Sequence, residues 1–190
     1  MMSYGYTPEW SEGAIKCPIY QTSTFVFKTA EEGKSFFEIA YGIRERKEGE
    51  KIPGLIYSRL NNPDIEILEN RIALWDNADD CASFESGMSA ISTVMLEYLT
   101  PGDYILASSP SYGGTDHFIK HFLTKMHIHH IEYFPWDSQA DILKRIEAAG
   151  ARDKVKLIYT ESPANPTNDL FDIAMLVRSE EHTSELQSQR

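Results

Sequence analysis

The sequence lacks any run of about eighteen apolar residues, so no transmembrane helix is expected. Its opening, Met1-Met2-Ser3-Tyr4-Gly5, has neither the basic nor the apolar stretch of a secretory signal. Cysteine is scarce. Cys17 and Cys81 lie far apart and form no CxxC pair, which reads as reduced cytosolic thiols, not as a disulfide framework or a zinc site. Positive charge is in deficit: 18 Lys and Arg against 29 Asp and Glu give a formal net charge of −11, which argues against nucleic acid as a partner. A Walker A loop and a GxGxxG fingerprint are both missing. What is there is an ordinary globular composition. Of 190 residues, 42% are hydrophobic and 12% aromatic, enough for a packed core and too much for a disordered chain.

Three stretches differ in rhythm. Residues 1–53 read as an irregular arm, broken by Pro8, Pro18 and Pro53, with an extended run at Ile19–Phe27. Such an arm cannot bury a core alone and is expected to pack on something else. The charged run Arg44–Lys51 within it reads as a solvated loop. From residue 54 to 177 helical and strand patterns alternate. Helices are expected at Pro63–Trp75, Met88–Leu99, Thr115–Met126 and Ala140–Ala149, with another starting near Phe171. Strands are expected at Cys81–Phe84, Tyr104–Ala107, Ile128–Phe134 and Val155–Thr160. Alternation of this kind means an α/β fold with parallel pairing and crossover helices on both faces. The final stretch, 178–190, loses all period. Arg178 to Ser188 reads like the in-frame translation of a common short-read sequencing adapter, so this tail is expected to be non-native and is set apart from the fold.

Four turns could carry chemistry. In Glu85-Ser86-Gly87-Met88-Ser89 a strand runs into a small-residue turn and a helix opens at once. Free backbone amides and the helix dipole suit an anion there, phosphate best; a tight turn with nothing bound is the commoner outcome of such a pattern. Tyr57-Ser58-Arg59 precedes the first helix of the domain, where a guanidinium fork and a phenol could meet phosphate, or be plain surface groups. Ser109-Pro110-Ser111-Tyr112-Gly113-Gly114 follows a strand, at the end of a parallel sheet where ligands sit; Tyr112 could stack on a planar ring or simply pack. Glu161-Ser162-Pro163-Ala164-Asn165-Pro166 follows another strand and presents the Asn165 amide between prolines. His127-Ile128-His129-His130 invites a metal reading, with His127 and His129 on one face of a strand. No Cys or carboxylate stands at site spacing, and no metal is expected.

Taken in order, Tyr57-Ser58-Arg59, Asn62-Pro63, Leu68-Glu69, Ser86–Ile91, Pro101-Gly102-Asp103, Tyr112–Thr115 and Glu161–Pro166 resemble the pyridoxal-phosphate enzymes of cysteine and methionine metabolism, the cystathionine γ-synthase and γ-lyase group. Pro18–Phe25 is similar to that family's N-terminal arm. The resemblance implies an aspartate-aminotransferase-like (fold type I) pyridoxal-phosphate domain, truncated, of which 54–177 is the first part. It implies pyridoxal 5'-phosphate as cofactor, an amino-acid substrate, no membrane or nucleic-acid partner, and self-association into a homotetramer of tight dimers. Ser86, Gly87 and Met88 would hold the cofactor phosphate, Tyr112 would stack on the pyridine, and Asn165 would meet the ring's phenolic oxygen. Tyr57 and Arg59 would reach the phosphate held by the neighbouring subunit.

The family's Schiff-base lysine, in a Ser-x-Thr-Lys setting, does not occur, nor does its Asp-Asn-Thr motif. Lys120, Lys125, Lys144, Lys154 and Lys156 have no such context. The resemblance therefore implies an inactive N-terminal fragment with no catalytic residue of its own. Methionine γ-lyases typically carry Cys two residues after the stacking Tyr. Gly114 stands there, which favours a transsulfuration enzyme of γ-replacement or γ-elimination over a methionine γ-lyase or an O-acylhomoserine sulfhydrylase. A phosphate-binding α/β domain without chemistry is the rival from another class. Asp64, where the family often has Thr, and the long charged run Arg44–Lys51 are further departures.

Overall fold

The computed structural model describes residues 4–45, 47 and 55–178. Most of the charged run and residues 179–190 of the tail lie outside the described residues. Contacts divide the chain into two units, Met1–Ser83 and Phe84–Arg190.

Among the described residues the first unit holds two α-helices. α1 (Ala30–Ala40) lies inside the stretch expected to be irregular, so that expectation is corrected. Its start was legible. The Thr29 hydroxyl accepts from the Glu32 amide at 3.1 Å, and a Glu32 carboxylate oxygen accepts from the Lys28 amide at 2.6 Å. This is close to a Ser/Thr-x-x-Glu capping box, a helix-start signal. Phe27 stands edge-on to Phe36 and Phe37, with ring centroids 5.9 and 6.0 Å away. α2 (Pro63–Asp76) begins with Pro63 at a position that needs no amide donor. It is capped by Asn62, whose Oδ1 accepts from the Asp64 amide at 3.0 Å. The extended run Ile19–Phe27 makes a single antiparallel bridge, Thr24 to Tyr57. It is tied down on one side by residues 56–58, where the Phe25 amide donates to the Ile56 carbonyl at 3.3 Å and the Ser58 amide to the Ser23 carbonyl at 3.0 Å, and on the other by the head of α2. The Asp64 carboxylate accepts the Tyr20 amide at 2.8 Å and the Cys17 thiol at 3.7 Å, and Asn62 Nδ2 donates to the Tyr20 carbonyl at 3.1 Å. Burial, and then the Asp64 charge, push the Cys17 thiol up from its ordinary pKa. The departure at Asp64 thus anchors the arm.

The second unit is built on three parallel strands, β1 (Tyr104–Ser108), β2 (His129–Tyr133) and β3 (Val155–Tyr159), in the order β2-β1-β3. α3 (Gly87–Tyr98) leads into β1 through Pro101-Gly102, where Gly102 adopts φ +99°. Between β1 and β2 the expected helix is a run of changing pitch: α4 (Gly113–His117), a π-turn at Phe118–Phe122, then a 3-10 turn at Leu123–Met126. α5 (Gln139–Ala148) joins β2 to β3, started by a reciprocal Ser138–Asp141 capping box and stopped at Gly150, φ +62°. A helical segment at 173–178 closes the described chain.

Alternation along β1 explains the two-sided core. Ile105 and Ala107 point to Met95 of α3, to Leu99 just past its end, and to Ile119 and Leu123 of the crossover. Leu106 faces the other side, with Ile142 and Ile146 of α5, Phe171 and Leu176. Burying a residue such as Ile142, fully enclosed, contributes about 1.5–3 kcal/mol.

Two expectations need correction. Cys81–Phe84 forms no strand. The Ser83 amide donates to the Glu69 carboxylate at 2.8 Å and the Cys81 amide to Asp80 at 2.8 Å, so side chains satisfy donors that a strand would turn to a neighbour. His127 caps the helical run in a left-handed turn, φ +59°, before β2 starts at His129, so strand alternation does not pair the two imidazoles.

Candidate functional site

The head of α3, in the second unit, leaves backbone donors open to solvent. Ser86 caps it: its hydroxyl accepts from the Ser89 amide at 3.1 Å. The Ser89 hydroxyl donates to Glu85 at 2.6 Å, and that bond holds the Glu85 carboxyl below its usual range. The amides of Gly87 and Met88 have no acceptor among the described residues. A side chain built on Gly87 would meet nothing within 4 Å, so a ligand has open approach to the backbone. Donors, dipole and space are together what a phosphate needs.

Tyr112 lies close by. The space where Gly114 lacks a Cβ is 2.5 Å from Tyr112 Cε1 and 3.2 Å from Met88 Sδ, so ring, thioether and bare Cα converge on one spot. The Thr115 hydroxyl is 3.9 Å from the same sulfur. The Tyr112 ring is 47% exposed, leaving a face free to cover a flat ligand. A recess of about 290 Å³ borders Met88 and Gly114, walled by His117, Phe118, His121 and Phe122.

Glu161, quoted with its motif but given no role by sequence reasoning, ties this loop to the sheet. Its carboxylate accepts the Tyr112 amide at 2.7 Å and the Tyr159 hydroxyl at 2.7 Å, and its own amide donates to the Ser108 hydroxyl at 3.1 Å. The loops after β1 and β3 are therefore joined by one side chain. Burial first, and then the Glu161 carboxylate, push the Tyr159 phenol up to about 12. A signal did exist: a Glu directly after a buried strand, at the carboxyl edge of a parallel sheet. Asn165 sits exposed in the same loop, with no side-chain partner among the described residues.

Tyr57 and Arg59 belong to the first unit. The Arg59 guanidinium lies 4.8 Å from the centre of the Tyr57 ring, so the two form one group. Arg59 is exposed and meets no carboxylate among the described residues. Lys120 is spoken for: it contacts Asp116 at 2.6 Å and Glu132 at 2.9 Å, and both bonds raise its pKa and keep it charged. A charged ammonium is a poor nucleophile toward a carbonyl. Among the described residues no group of three potential metal ligands gathers.

Known proteins share this sequence and fold. The chain is 37% identical over 170 residues to an L-methionine gamma-lyase of Porphyromonas gingivalis, covering 90% of this chain and 38% of that protein. It is 33% identical over 170 residues to an O-succinylhomoserine sulfhydrylase of Pseudomonas aeruginosa, covering 90% and 37%. A solved structure named as an O-acetylhomoserine (thiol)-lyase from Campylobacter jejuni, which carries N'-pyridoxyl-lysine-5'-monophosphate, superposes with a TM-score of 0.78 at 26% identity. It covers 96% of this chain and 40% of that one. The chain thus spans less than two fifths of the length of these two curated relatives, and its α/β architecture is part of a fold type I domain. The family model for Cys/Met metabolism PLP-dependent enzymes matches residues 1–186, and the chain belongs to that family, whose cofactor is pyridoxal phosphate.

Proposed function

We propose that this chain is part of an enzyme that eliminates or replaces the γ-substituent of a sulfur amino acid, a transsulfuration enzyme like cystathionine γ-synthase. The observation that carries the proposal is the pair of unsatisfied amides at Gly87 and Met88, open to solvent and beside the exposed Tyr112 ring. Ser86, Gly87 and Met88 hold the cofactor phosphate, Tyr112 covers the pyridine, and Asn165 donates to the phenolic oxygen. When bound, the cofactor supplies an electron sink for carbanion chemistry. Tyr57 and Arg59 serve the phosphate of a neighbouring subunit, in a cytoplasmic homotetramer. The chain alone is inactive: it has no lysine in the Ser-x-Thr-Lys setting, and Lys120 is held charged.

The relatives' names favour a second reading, methionine γ-lyase or O-acylhomoserine sulfhydrylase. Gly114 is the feature that sets the first above it. Product analysis of the whole enzyme separates them: release of a volatile thiol from methionine would select the lyase.

The test uses the whole enzyme and subunit exchange. Arg59→Ala weakens cofactor binding by roughly 1.5–3 kcal/mol, the range for a hydrogen bond to a charged group. Arg59→Lys restores only part, since Lys lacks the planar fork. Arg59→Ala subunits are then mixed with subunits whose cofactor-binding lysine is replaced. Service in trans leaves one complete site in each hybrid dimer, so activity returns on mixing. Parents that stay inactive after demonstrated exchange defeat the trans role, and unaltered cofactor affinity in Arg59→Ala defeats the phosphate role altogether.

A further inference from the structure

The loop after β1 carries Tyr112 and the loop after β3 carries Asn165, and the two are held in different ways. The β3 loop closes on itself. The Ala164 amide donates to the Asp169 carbonyl at 2.8 Å, the Asn168 amide to the Ala164 carbonyl at 2.7 Å and the Phe171 amide to the Ser162 hydroxyl at 3.1 Å, while Ala164 is buried in the core. The β1 loop draws its hold from outside. Tyr112 lends no side-chain bond to the helix it opens, and its amide is satisfied by Glu161. The Glu161 carboxylate uses both oxygens. Oε2 accepts the Tyr112 amide and Oε1 the Tyr159 hydroxyl, each at 2.7 Å, the short range of charge-assisted bonds. The Tyr159 ring packs on the cluster that contains Ile105 and Ala107, and the Glu161 amide donates to the buried Ser108 hydroxyl. One side chain therefore connects the core to the backbone of Tyr112.

We propose that Glu161 is a positioning residue for the Tyr112 ring: its carboxylate sets the loop after β1 against the loop after β3, so that the ring and the Asn165 amide meet the same flat cofactor. This rests on the reading of Tyr112 as the ring that covers the pyridine. The position needs reach and an acceptor for the Tyr112 amide more than it needs charge. A glutamine can accept that amide with its oxygen and donate to the Tyr159 oxygen with its nitrogen; an alanine can do neither.

The experiment uses the full chain and pyridoxamine 5'-phosphate, which has no aldehyde to react with stray lysines. Amide hydrogen exchange is followed by nuclear magnetic resonance without ligand, and affinity by titration. In Glu161→Ala the Tyr112 amide is expected to exchange about tenfold faster or more, the scale of one hydrogen bond to a charged group, while the amides of β1–β3 keep their protection. Affinity is expected to fall about two- to tenfold, the scale of one aromatic stack. Glu161→Gln restores most of both. Tyr159→Phe removes one of the two holds on the carboxylate and gives an intermediate effect on both, which reports even where Glu161→Ala does not fold. In the Tyr112→Ala background Glu161→Ala has no further effect on affinity. A Tyr112 amide as protected in Glu161→Ala and Tyr159→Phe as in the parent overturns the inference, as does an affinity loss that glutamine does not rescue or that is undiminished in the double variant. Faster exchange together with a Tyr112→Ala chain that binds as tightly as the parent would leave Glu161 as the holder of the loop and defeat the cofactor role of Tyr112 instead.

Discussion

The two units differ in how their apolar residues are packed. In the second, β1 is buried from Ile105 to Ser108 and both faces of its sheet are packed. In the first, Ile15, Ile19 and Val26 are 90%, 80% and 97% exposed, and Trp75 of α2 is 68% exposed. The second unit leaves apolar side chains exposed too, Trp136 at 74% and Leu170 at 71%, but its sheet is enclosed by two clusters of buried residues, whereas the first unit buries only scattered ones such as Ile56 and Ile67 among the described residues. The enclosed sheet is what holds the second unit together, and the first unit has no core of that kind among the described residues. That contrast matches the roles proposed for them: one supplies the bed for the cofactor, the other reaches toward a neighbour.

The largest expected effect tests the contrast directly. Leu106→Ala, in the fully buried centre of the sheet, should cost about 2–5 kcal/mol in urea unfolding, and Val26→Ala should change stability by less than about 0.5 kcal/mol. Equal losses at the two sites would erase the distinction between the units. A middle-sized effect belongs to Asn62, a buried polar anchor of the first unit. Asn62→Ala removes the cap of α2 and the bond to the Tyr20 carbonyl, and should cost about 1–2 kcal/mol. Amide exchange at Tyr20 should quicken with it; unchanged exchange would mean that the arm is held elsewhere.

The smallest effect concerns protons. The Tyr159 phenol, lifted to about 12, is favoured in its neutral form by the fold. Its contribution to stability is complete below the ordinary phenol value near 10 and is lost as pH rises through about 12. Glu161→Gln should lower this value but leave it above the ordinary one, because burial is the larger cause. Difference absorbance at 295 nm against Tyr159→Phe reads it. A Tyr159 that titrates normally in the parent chain would remove the carboxylate bridge between the two loops.

The parallel sheet was legible because its strands are short apolar runs separated by periodic helices. Ile105-Leu106-Ala107 and the spacing of Ile142 and Ile146 state their burial outright. Ser86, Gly87 and Met88 were legible because a cap followed by a helix start is a local pattern. What failed was non-local. Cys81–Phe84 has a strand's composition, but a strand exists only with a partner, and Glu69 takes the Ser83 amide instead. α1 was hidden by the irregular stretches around it, although Thr29 and Glu32 announced it. The role of Glu161 depends on three groups, Ser108 at the end of β1, Tyr112 in the loop after it and Tyr159 at the end of β3, which no single stretch of sequence displays.

The sheet order β2-β1-β3 has a consequence for handling the molecule. Among the described residues only β1 has strand neighbours on both sides, and the outer edges of β2 and β3 have none. Such rims recruit any extended peptide, including another molecule of the same kind. In the relatives' longer chains there is more sequence available to lie along them. An edge of this kind can be extended by a second copy of the chain, and lysine or proline placed on the outer side of β2 or β3 would block it.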